Sequence, residues 1–561
     1  MISDRTTHNP DAAARYAVPG LAFLVMYGAL VVVPWTFLAL RMSTVAGWMV
    51  LVALALTGAV VTWLVPPTNR TRNVAAALTI VVGTFLIAGI VAHNFYDVSF
   101  DGRTYHSDGI IALSEGWNPF ENSHPGSFGY GNTVRSFPKA SWLAASSLYE
   151  LTGSIEVGKS INILPLGGSF LLVLSLLTRL GVRPGVAWAG SVLAAANPIW
   201  VVQSLSNYID GQSASLLLAA IAAGLWILLF ERTRVVSWSL GLSLLLLINL
   251  KFSGIFYAGL ILMAMTAVMI WQRRWGDFKR FVATQGVVIV LAVGVIGFNP
   301  YVQNMLDFDN PFYPIYGENS IDFSTPNTPE NLRGASQLKQ LAFGLFGRPQ
   351  NPINGPAFLT WPFNWADLSR DRPYTGADAR IAGLGPWFSG GLLVSVALGA
   401  WLLYKERKHW RGKVLLVGSL SGFLILSWVL HPEGWWARYT PQLWLVPVAV
   451  AVAVWVRNDR ISRWLGGLLA LVLAMNVFFV AEVYYRSQVE NTKELVEIYE
   501  GFADSGQVIP IFIQRFHAAT RVQLDEAGVT FTEYSSSDEL PCETTERLPG
   551  GSGDYCSAAA G

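Results

Sequence analysis

Charge is scarce in this chain of 561 residues: Asp, Glu, Lys and Arg make up 13% of it, where a soluble domain carries roughly a quarter. With 52% hydrophobic residues and a mean hydropathy of +0.41, that scarcity excludes an ordinary soluble protein and indicates a polytopic membrane protein. No Lys/Arg tract is present and the formal net charge is only +1, so nucleic acid is offered no basic face. There is no short repeat or coiled coil, and low complexity is confined to the Gly/Ala-rich last dozen residues. No signal peptide is expected: Met1 to Tyr16 is polar, with Arg5 and Arg15, and the apolar run behind it is too long and lacks a clear cleavage site. Cysteine is nearly missing as well. Cys542 and Cys556 are the two in the chain; if the tail lies outside the cytoplasm they pair and close a small loop. Their C-x13-C spacing is too wide for a tight zinc site. What the chain has in quantity is aromatic surface, with 22 Trp and 30 Phe, which suits membrane interfaces and substrate grooves alike.

A bilayer core takes about 20 apolar residues per helix. Apolar runs predict about thirteen transmembrane helices, near 18–40, 44–65, 74–93, 157–178, 185–203, 210–230, 235–250, 253–271, 281–298, 384–404, 414–430, 437–456 and 462–482. Basic residues fall on alternate connections: Arg70/Arg72, Arg179/Arg183, Arg232/Arg234, Arg273/Arg274/Lys279/Arg280, Lys405/Arg407/Lys408/Arg411/Lys413 and Arg457/Arg460/Arg463. The positive-inside rule puts these in the cytoplasm, together with an N-terminal segment 1–17 that carries Arg15. A transmembrane domain over 18–483 then exposes two large loops, 94–156 and 299–383, and a tail, 484–561, on the outer side. The parity requires that 138–152 does not cross, so it is expected to form a helix at the outer interface, with Trp142 and Tyr149 at headgroup level. The tail alternates helix (490–504), strand (507–513), helix (515–527) and strand (529–534), which predicts a small extracytoplasmic α/β unit. It is too short to hold much core alone and should lean on the membrane part.

The outer loop beginning Tyr96-Asp97-Val98-Ser99-Phe100-Asp101 concentrates aspartates where an apolar helix ends. Carboxylates in or beside a bilayer are costly to keep charged and mark functional sites. Further along come Asp101-Gly102-Arg103-Thr104-Tyr105, Glu115-Gly116-Trp117-Asn118-Pro119, Pro138-Lys139-Ala140-Ser141-Trp142, Tyr208-Ile209-Asp210-Gly211, Asn249-Leu250-Lys251-Phe252-Ser253-Gly254 and Ala437-Arg438-Tyr439-Thr440-Pro441. In that order, and all on the predicted outer side, these stretches resemble the polyprenyl-phosphate-dependent GT-C glycosyltransferases, in particular the protein O-mannosyltransferase and aminoarabinose-transferase branch. The likeness covers roughly residues 80–460. Three departures stand out: the second acidic residue of the first motif is Gly102, two helices precede that motif rather than one, and Leu250 replaces the Thr before Lys251.

The resemblance implies a GT-C-like α-helical membrane fold and an inverting sugar transfer from a polyprenyl-phosphate donor to an extracytoplasmic glycan, lipid or protein, in a bacterial cytoplasmic membrane. A poor acceptor nucleophile needs a carboxylate in hydrogen-bond reach, and Asp101 is the expected general base, with Asp210 as the second catalytic carboxylate. The departing lipid phosphate gathers charge that cations stabilise. Lys251, Arg438 and Lys139 are the candidate clamp, with Tyr105 and Tyr439 beside them. Asp97, His106 and Asp108 are candidate supporting residues, and His431 and Glu433 are neighbours of the same cavity. The sequence singles out no definite cofactor, and Asp101, His106 and Asp210 are a candidate set for a divalent metal ion. Each role has a plainer counterpart: Asp101-Gly102 as a turn, Asp210 as the N-cap of a helix starting at Gln212, and the cations as snorkelling side chains. Two other functions compete, a catalytically inactive envelope-assembly subunit, kept open by Gly102, and a transporter or flippase, disfavoured by the missing inverted repeat.

Overall fold

A computed structural model describes residues 10–67, 70–121, 131–317, 320–349, 355–364, 374–405, 413–457, 459–514 and 517–556. Arg5, Arg407, Lys408 and Arg411 of the charge pattern lie outside these described residues. Among the described residues eight helices are long and apolar enough to cross a membrane: Ala13–Ala39, Arg70–His93, Ile155–Arg179, Asp210–Leu229, Ser253–Trp271, Trp275–Val295, Phe388–Lys405 and Arg460–Ser505. Five more apolar helices, Trp48–Leu64, Pro184–Ala195, Arg234–Leu250, Val417–Val429 and Pro441–Trp455, have only 10–17 residues. At about 1.5 Å per residue these fall short of a hydrocarbon core of about 30 Å. Local chemistry explains two of the short ones. The run 185–203 breaks at Ala196 and Asn197, because Pro198 brings no amide and the Asn197 side chain caps the Ile199 amide at 3.0 Å. The run 437–456 opens in two 3-10 turns, Ala437–Tyr439 and Pro441–Trp444.

The helix Pro10–Ala39 runs through the middle, packed against Trp48–Leu64, Arg70–His93, Ala140–Thr152, Ile163–Arg179 and Arg234–Leu250. Other helices turn bare apolar faces outward, as at Leu86, Ile87, Ile90, Val290, Leu468 and Leu471. Faces of that size are a liability in water and no liability in lipid tails. Inside, polar side chains bond one another rather than solvent. Tyr27 donates to Gln212, whose amide donates to Asn162 at 2.7 Å, and Asn162 donates to the Ser206 carbonyl at 2.9 Å.

The two ends of the bundle differ. At one, basic residues of successive connections meet: Arg179 lies over the Phe230 ring, Arg232 donates to Thr284 at 3.0 Å, and Arg274 donates to the Leu228 carbonyl at 2.8 Å. At the other end the first loop and the C-terminal unit pack together. The segment 138–152 does form a helix, Ala140–Thr152, but it is buried almost throughout. Trp142 points inward rather than to an interface.

The expected boundary at 483/484 is not a break. Arg460–Ser505 is one helix of 46 residues, capped by Asp459 on the Ser462 amide and ended by Gly506 at φ 60, a left-handed conformation that glycine adopts without strain. At about 69 Å it is twice as long as a bilayer core requires, and its second half becomes a pillar for the C-terminal unit. There β1 (Ile509–Ile513), β2 (Phe531–Tyr534), β3 (Thr545–Arg547) and β4 (Gly553–Cys556) form a mixed sheet in the order β2-β1-β4-β3. β1 and β2 are parallel, joined through the helix Ala518–Glu526, while β4 runs antiparallel to both β1 and β3. Ile511, Ile513, Leu524, Leu548 and Tyr555 make its core together with Leu495 and Tyr499 of the pillar and Tyr96 and Val98 of the first loop.

Cys542 and Cys556 are joined in a disulfide, 14 residues apart in sequence, which ties the strand β4 to the turn before β3. Replacing both by serine is expected to cost the C-terminal unit about 3 kcal/mol through the freed unfolded chain. Limited proteolysis should then cut within 537–556 faster, while the helical bundle stays intact.

Candidate functional site

Each charged residue of the site sits at a helix end or in a short helical turn. Asp101 precedes the π-helical turn Gly102–His106, and Asp210 opens the helix Asp210–Leu229. Lys251 ends Arg234–Leu250 in extended backbone at φ −155 and ψ 147, and Arg438 lies in the 3-10 turn Ala437–Tyr439. At such ends a side chain projects past the bundle instead of sideways, so residues on distant stretches can converge.

They do converge. Arg438 Nη1 donates to Asp101 Oδ2 at 2.8 Å across 337 residues of sequence. The same guanidinium is 3.8 Å from Asp210 Oδ2, and its Nε is 3.4 Å from Asp378 Oδ1. Lys251 bonds Asp210 Oδ1 and lies 3.8 Å from the centre of the Tyr439 ring. The rings of Tyr208, Trp436 and Tyr439 flank the Arg438 guanidinium at 5.2, 4.7 and 5.3 Å, an arrangement in which each aromatic face attracts the cation. Side-chain exposure grades the cluster: Asp210 is 3% exposed and Arg438 9%, whereas Asp101 is 18% and Lys251 22%. Asp378 is 22% exposed as well, so the open side of the cluster carries two carboxylates, Asp101 and Asp378, and the Lys251 ammonium group. Burial raises the Asp101 carboxyl above the usual range and Arg438 opposes the rise, which leaves a more basic carboxylate than a free one.

A second polar network holds the Asp101 loop. Asp97 is buried and accepts the Ser99 amide at 2.9 Å and the Asn207 amide at 2.7 Å, so it ties this loop to the one carrying Tyr208 and Asp210. Its own amide donates to Glu156 at 3.1 Å; Glu156 pairs with Lys159 and accepts from Gln523 of the C-terminal unit at 2.6 Å. Arg103, buried, donates to the Pro549 and Gly550 carbonyls at 3.1 and 2.6 Å. A Cβ at Gly102 would run into Asp97 Oδ2 and Ser99 Oγ. The residue that departs from the acidic motif is therefore the one that leaves room for Asp97 to turn inward.

Several expected site residues are elsewhere. Lys139 spends its three donors on the Arg135 carbonyl at 2.9 Å, the Phe137 carbonyl at 2.7 Å and Asn299, and it is buried, so it holds backbone rather than a ligand. His106 is buried, accepts from Trp142 Nε1 at 2.9 Å and stacks on Tyr105 at 4.2 Å. Burial pushes its pKa down to about 3, so it stays neutral. Tyr105, edge-on to Phe137 at 5.6 Å, walls the cluster on that side. Asp210 does not cap its helix; its carboxylate faces Lys251 and, at 3.1 Å, Gln203. Asp108 lies apart, against the Ala518 amide at the start of Ala518–Glu526. The Glu433 amide donates to His431 Nδ1 at 3.1 Å, and the His431 ring lies 6.0 Å from the Tyr439 ring. The candidate metal set does not form: among the described residues no three His, Cys, Asp or Glu side chains are placed to share an ion. Asp101 and Asp210 both face the Arg438 guanidinium instead.

Two members of the site escape the sequence motifs. Asp378 comes from the long 299–383 segment, where it also binds Arg380 at 2.6 Å and the Trp436 indole at 3.3 Å. Gln203, in the irregular stretch after Pro198–Val201, accepts the Gly211 amide at 2.7 Å and donates to Asp210 and the Ala377 carbonyl. Asp378-Ala379-Arg380 alternates opposite charges in a segment otherwise rich in Pro, Asn and aromatics; that was the one available signal. Gln203 had none. Comparison of the chain with protein-family models, curated proteins and solved structures finds no match.

Two measurements probe this arrangement. Lys251→Met leaves the buried Asp210 carboxylate with only Gln203 and the Arg438 guanidinium 3.8 Å away, and should lower stability by about 1–3 kcal/mol, seen as a drop in the thermal midpoint of the detergent-solubilised chain. Adding Asp210→Asn to it should restore part of the loss. Asp108 behaves differently, because burial lifts its pKa from 3.8 to about 8. The unfolded chain then gives up this proton first, so the group's contribution is present at acid pH and is lost as pH rises from 3.8 towards about 8. Asp108→Asn should therefore gain stability over wild type at about pH 8 and little at about pH 4. Equal pH slopes for the two proteins refute the assignment.

Proposed function

We propose that this chain is a membrane glycosyltransferase that moves a sugar from a polyprenyl-phosphate donor to a hydroxyl or amine of an extracytoplasmic glycan, lipid or protein, with inversion. One observation carries the reading: a partly open carboxylate, Asp101, faces Arg438 at 2.8 Å, with Lys251 beside the same cluster. The base needed for a weak nucleophile and the cations needed for a phosphate leaving group thus share one site. In the bacterial cytoplasmic membrane the basic end of the bundle would face the cytoplasm with the N-terminus, and the site and the C-terminal unit would lie outside. All thirteen apolar helices would then be embedded, the five short ones completed by irregular backbone buried in protein.

In the reaction, Asp101 takes the acceptor proton as the acceptor oxygen or nitrogen bonds the anomeric carbon. The bond from that carbon to the phosphate oxygen breaks on the opposite face. The electron pair leaves with the lipid phosphate, whose charge Arg438 and Lys251 balance. Asp210 keeps Lys251 charged and in place. No step is assigned to a metal ion, because Asp101 and Asp210 face the Arg438 guanidinium and His106 accepts from the Trp142 indole.

Gly102, without a second carboxylate, favours one other reading, an inactive subunit of envelope assembly. Transfer of labelled sugar from a polyprenyl-phosphate donor in proteoliposomes separates the two. Asp101→Asn is expected to slow transfer by roughly 10²–10⁴-fold, in a variant whose thermal midpoint shows that it is folded. A wild-type rate for this variant removes Asp101 from the chemistry, and no transfer by wild type favours the assembly role.

A further inference from the structure

We infer that in the resting protein Asp101 occupies the place of the donor phosphate on Arg438, and that the donor liberates its own base by displacing it. The inference rests on the glycosyltransferase reading above and adds a control to it.

Charge counting motivates the idea. Asp101, Asp210 and Asp378 face Lys251, Arg380 and Arg438, three acids against three cations, with every cation engaged. An arriving phosphate adds negative charge to a cluster already neutral, so one carboxylate must give up its cation. Asp210 is the poorest candidate, since it is 3% exposed and held by both Lys251 and Gln203. Asp378 keeps Arg380 at 2.6 Å and the Trp436 indole at 3.3 Å. Asp101 has Arg438 as its one cation among the described residues. It yields most readily.

Geometry agrees on which partner moves. Three aromatic rings and Asp378 hold the Arg438 guanidinium. Asp101 instead starts a π-helical turn that is interrupted at Thr104 (φ −89, ψ −117), and its amide has only a long 3.4 Å bond to the Tyr208 hydroxyl. Carboxylate and phosphate offer a guanidinium fork the same oxygen pair, so either can fill the position. Without donor the base is held by Arg438. With donor, the carboxylate is released beside the sugar that the phosphate carries.

Binding of farnesyl phosphate to the full-length chain in detergent, followed by native mass spectrometry or thermophoresis, tests the exchange. Asp101→Asn keeps the shape and removes the competing charge, so it should bind this probe roughly tenfold more tightly than wild type. Asp101→Ser should do likewise, guarding against a folding defect peculiar to one variant. Arg438→Gln should bind more weakly than wild type. If the two Asp101 variants bind no better than wild type while Arg438→Gln binds worse, the displacement is refuted and the phosphate site stands. If Arg438→Gln binds as wild type does, the phosphate site itself is wrong and both proposals fall.

Discussion

A guanidinium with 9% of its side chain exposed cannot sit at the end of a membrane bundle without counter-charge, since desolvating a cation costs several kcal/mol unless partners are close. Arg438 meets that requirement with three carboxylates from three separate parts of the chain. Asp101 comes from the loop after Arg70–His93, Asp210 from the head of Asp210–Leu229, and Asp378 from the long connection before Phe388–Lys405. None is near another in sequence. Satisfying one buried charge therefore draws together the first loop, a central helix and the long connection. The aromatic rings around Arg438 then limit the directions from which a ligand can reach it.

The second constraint is mechanical. Asp101 belongs to a short turn with little hydrophobic content, and such a turn needs external anchors. It has them on both sides. Asp97 bonds the Asn207 amide within the membrane part, while Arg103 bonds the Pro549 and Gly550 carbonyls of the C-terminal unit. Glu156, between Lys159, the Asp97 amide and Gln523, closes the circuit. The C-terminal unit, too small for an independent core, gains one by packing Leu495 and Tyr499 of the long pillar helix against Ile511, Leu524 and Leu548. It gives back a fixed ceiling for the loop.

Much of the helical layout was legible because apolar runs of the needed length are rare by chance, and each has a helix. The breaks were less legible. Pro198 announces one, but the continuation of Arg460–Ser505 past the expected boundary at 483 does not follow from hydropathy, which falls there as the helix leaves its apolar surroundings. Backbone hydrogen bonding ignores that change. In the tail, β1, the following helix and β2 carried regular patterns, whereas β3 and β4 are three and four residues long and exist through pairing and the disulfide. Asp101 stands out as a carboxylate where an apolar helix ends, and Asp210, Lys251 and Arg438 through the order of motifs that carries the resemblance. Asp378 was missed because its importance comes from a partner 60 residues away, not from its own neighbourhood.

Lys139 and Lys251 show most clearly where residue type stops being informative. Both follow an apolar or Pro-bearing stretch, both lie at a helix end, and both are candidate phosphate ligands in the sequence. Their fates are decided by how many acceptors the backbone leaves open. Around Lys139 the carbonyls of Arg135 and Phe137 and the side chain of Asn299 absorb all three ammonium hydrogens. Around Lys251 the chain passes straight from one helix to the next in extended backbone, and the ammonium group is left with a carboxylate and an aromatic face. A lysine whose hydrogens are spent on carbonyls holds a fold together. One that shares them with a carboxylate and a ring at a partly open surface still has a free direction in which to meet an anion.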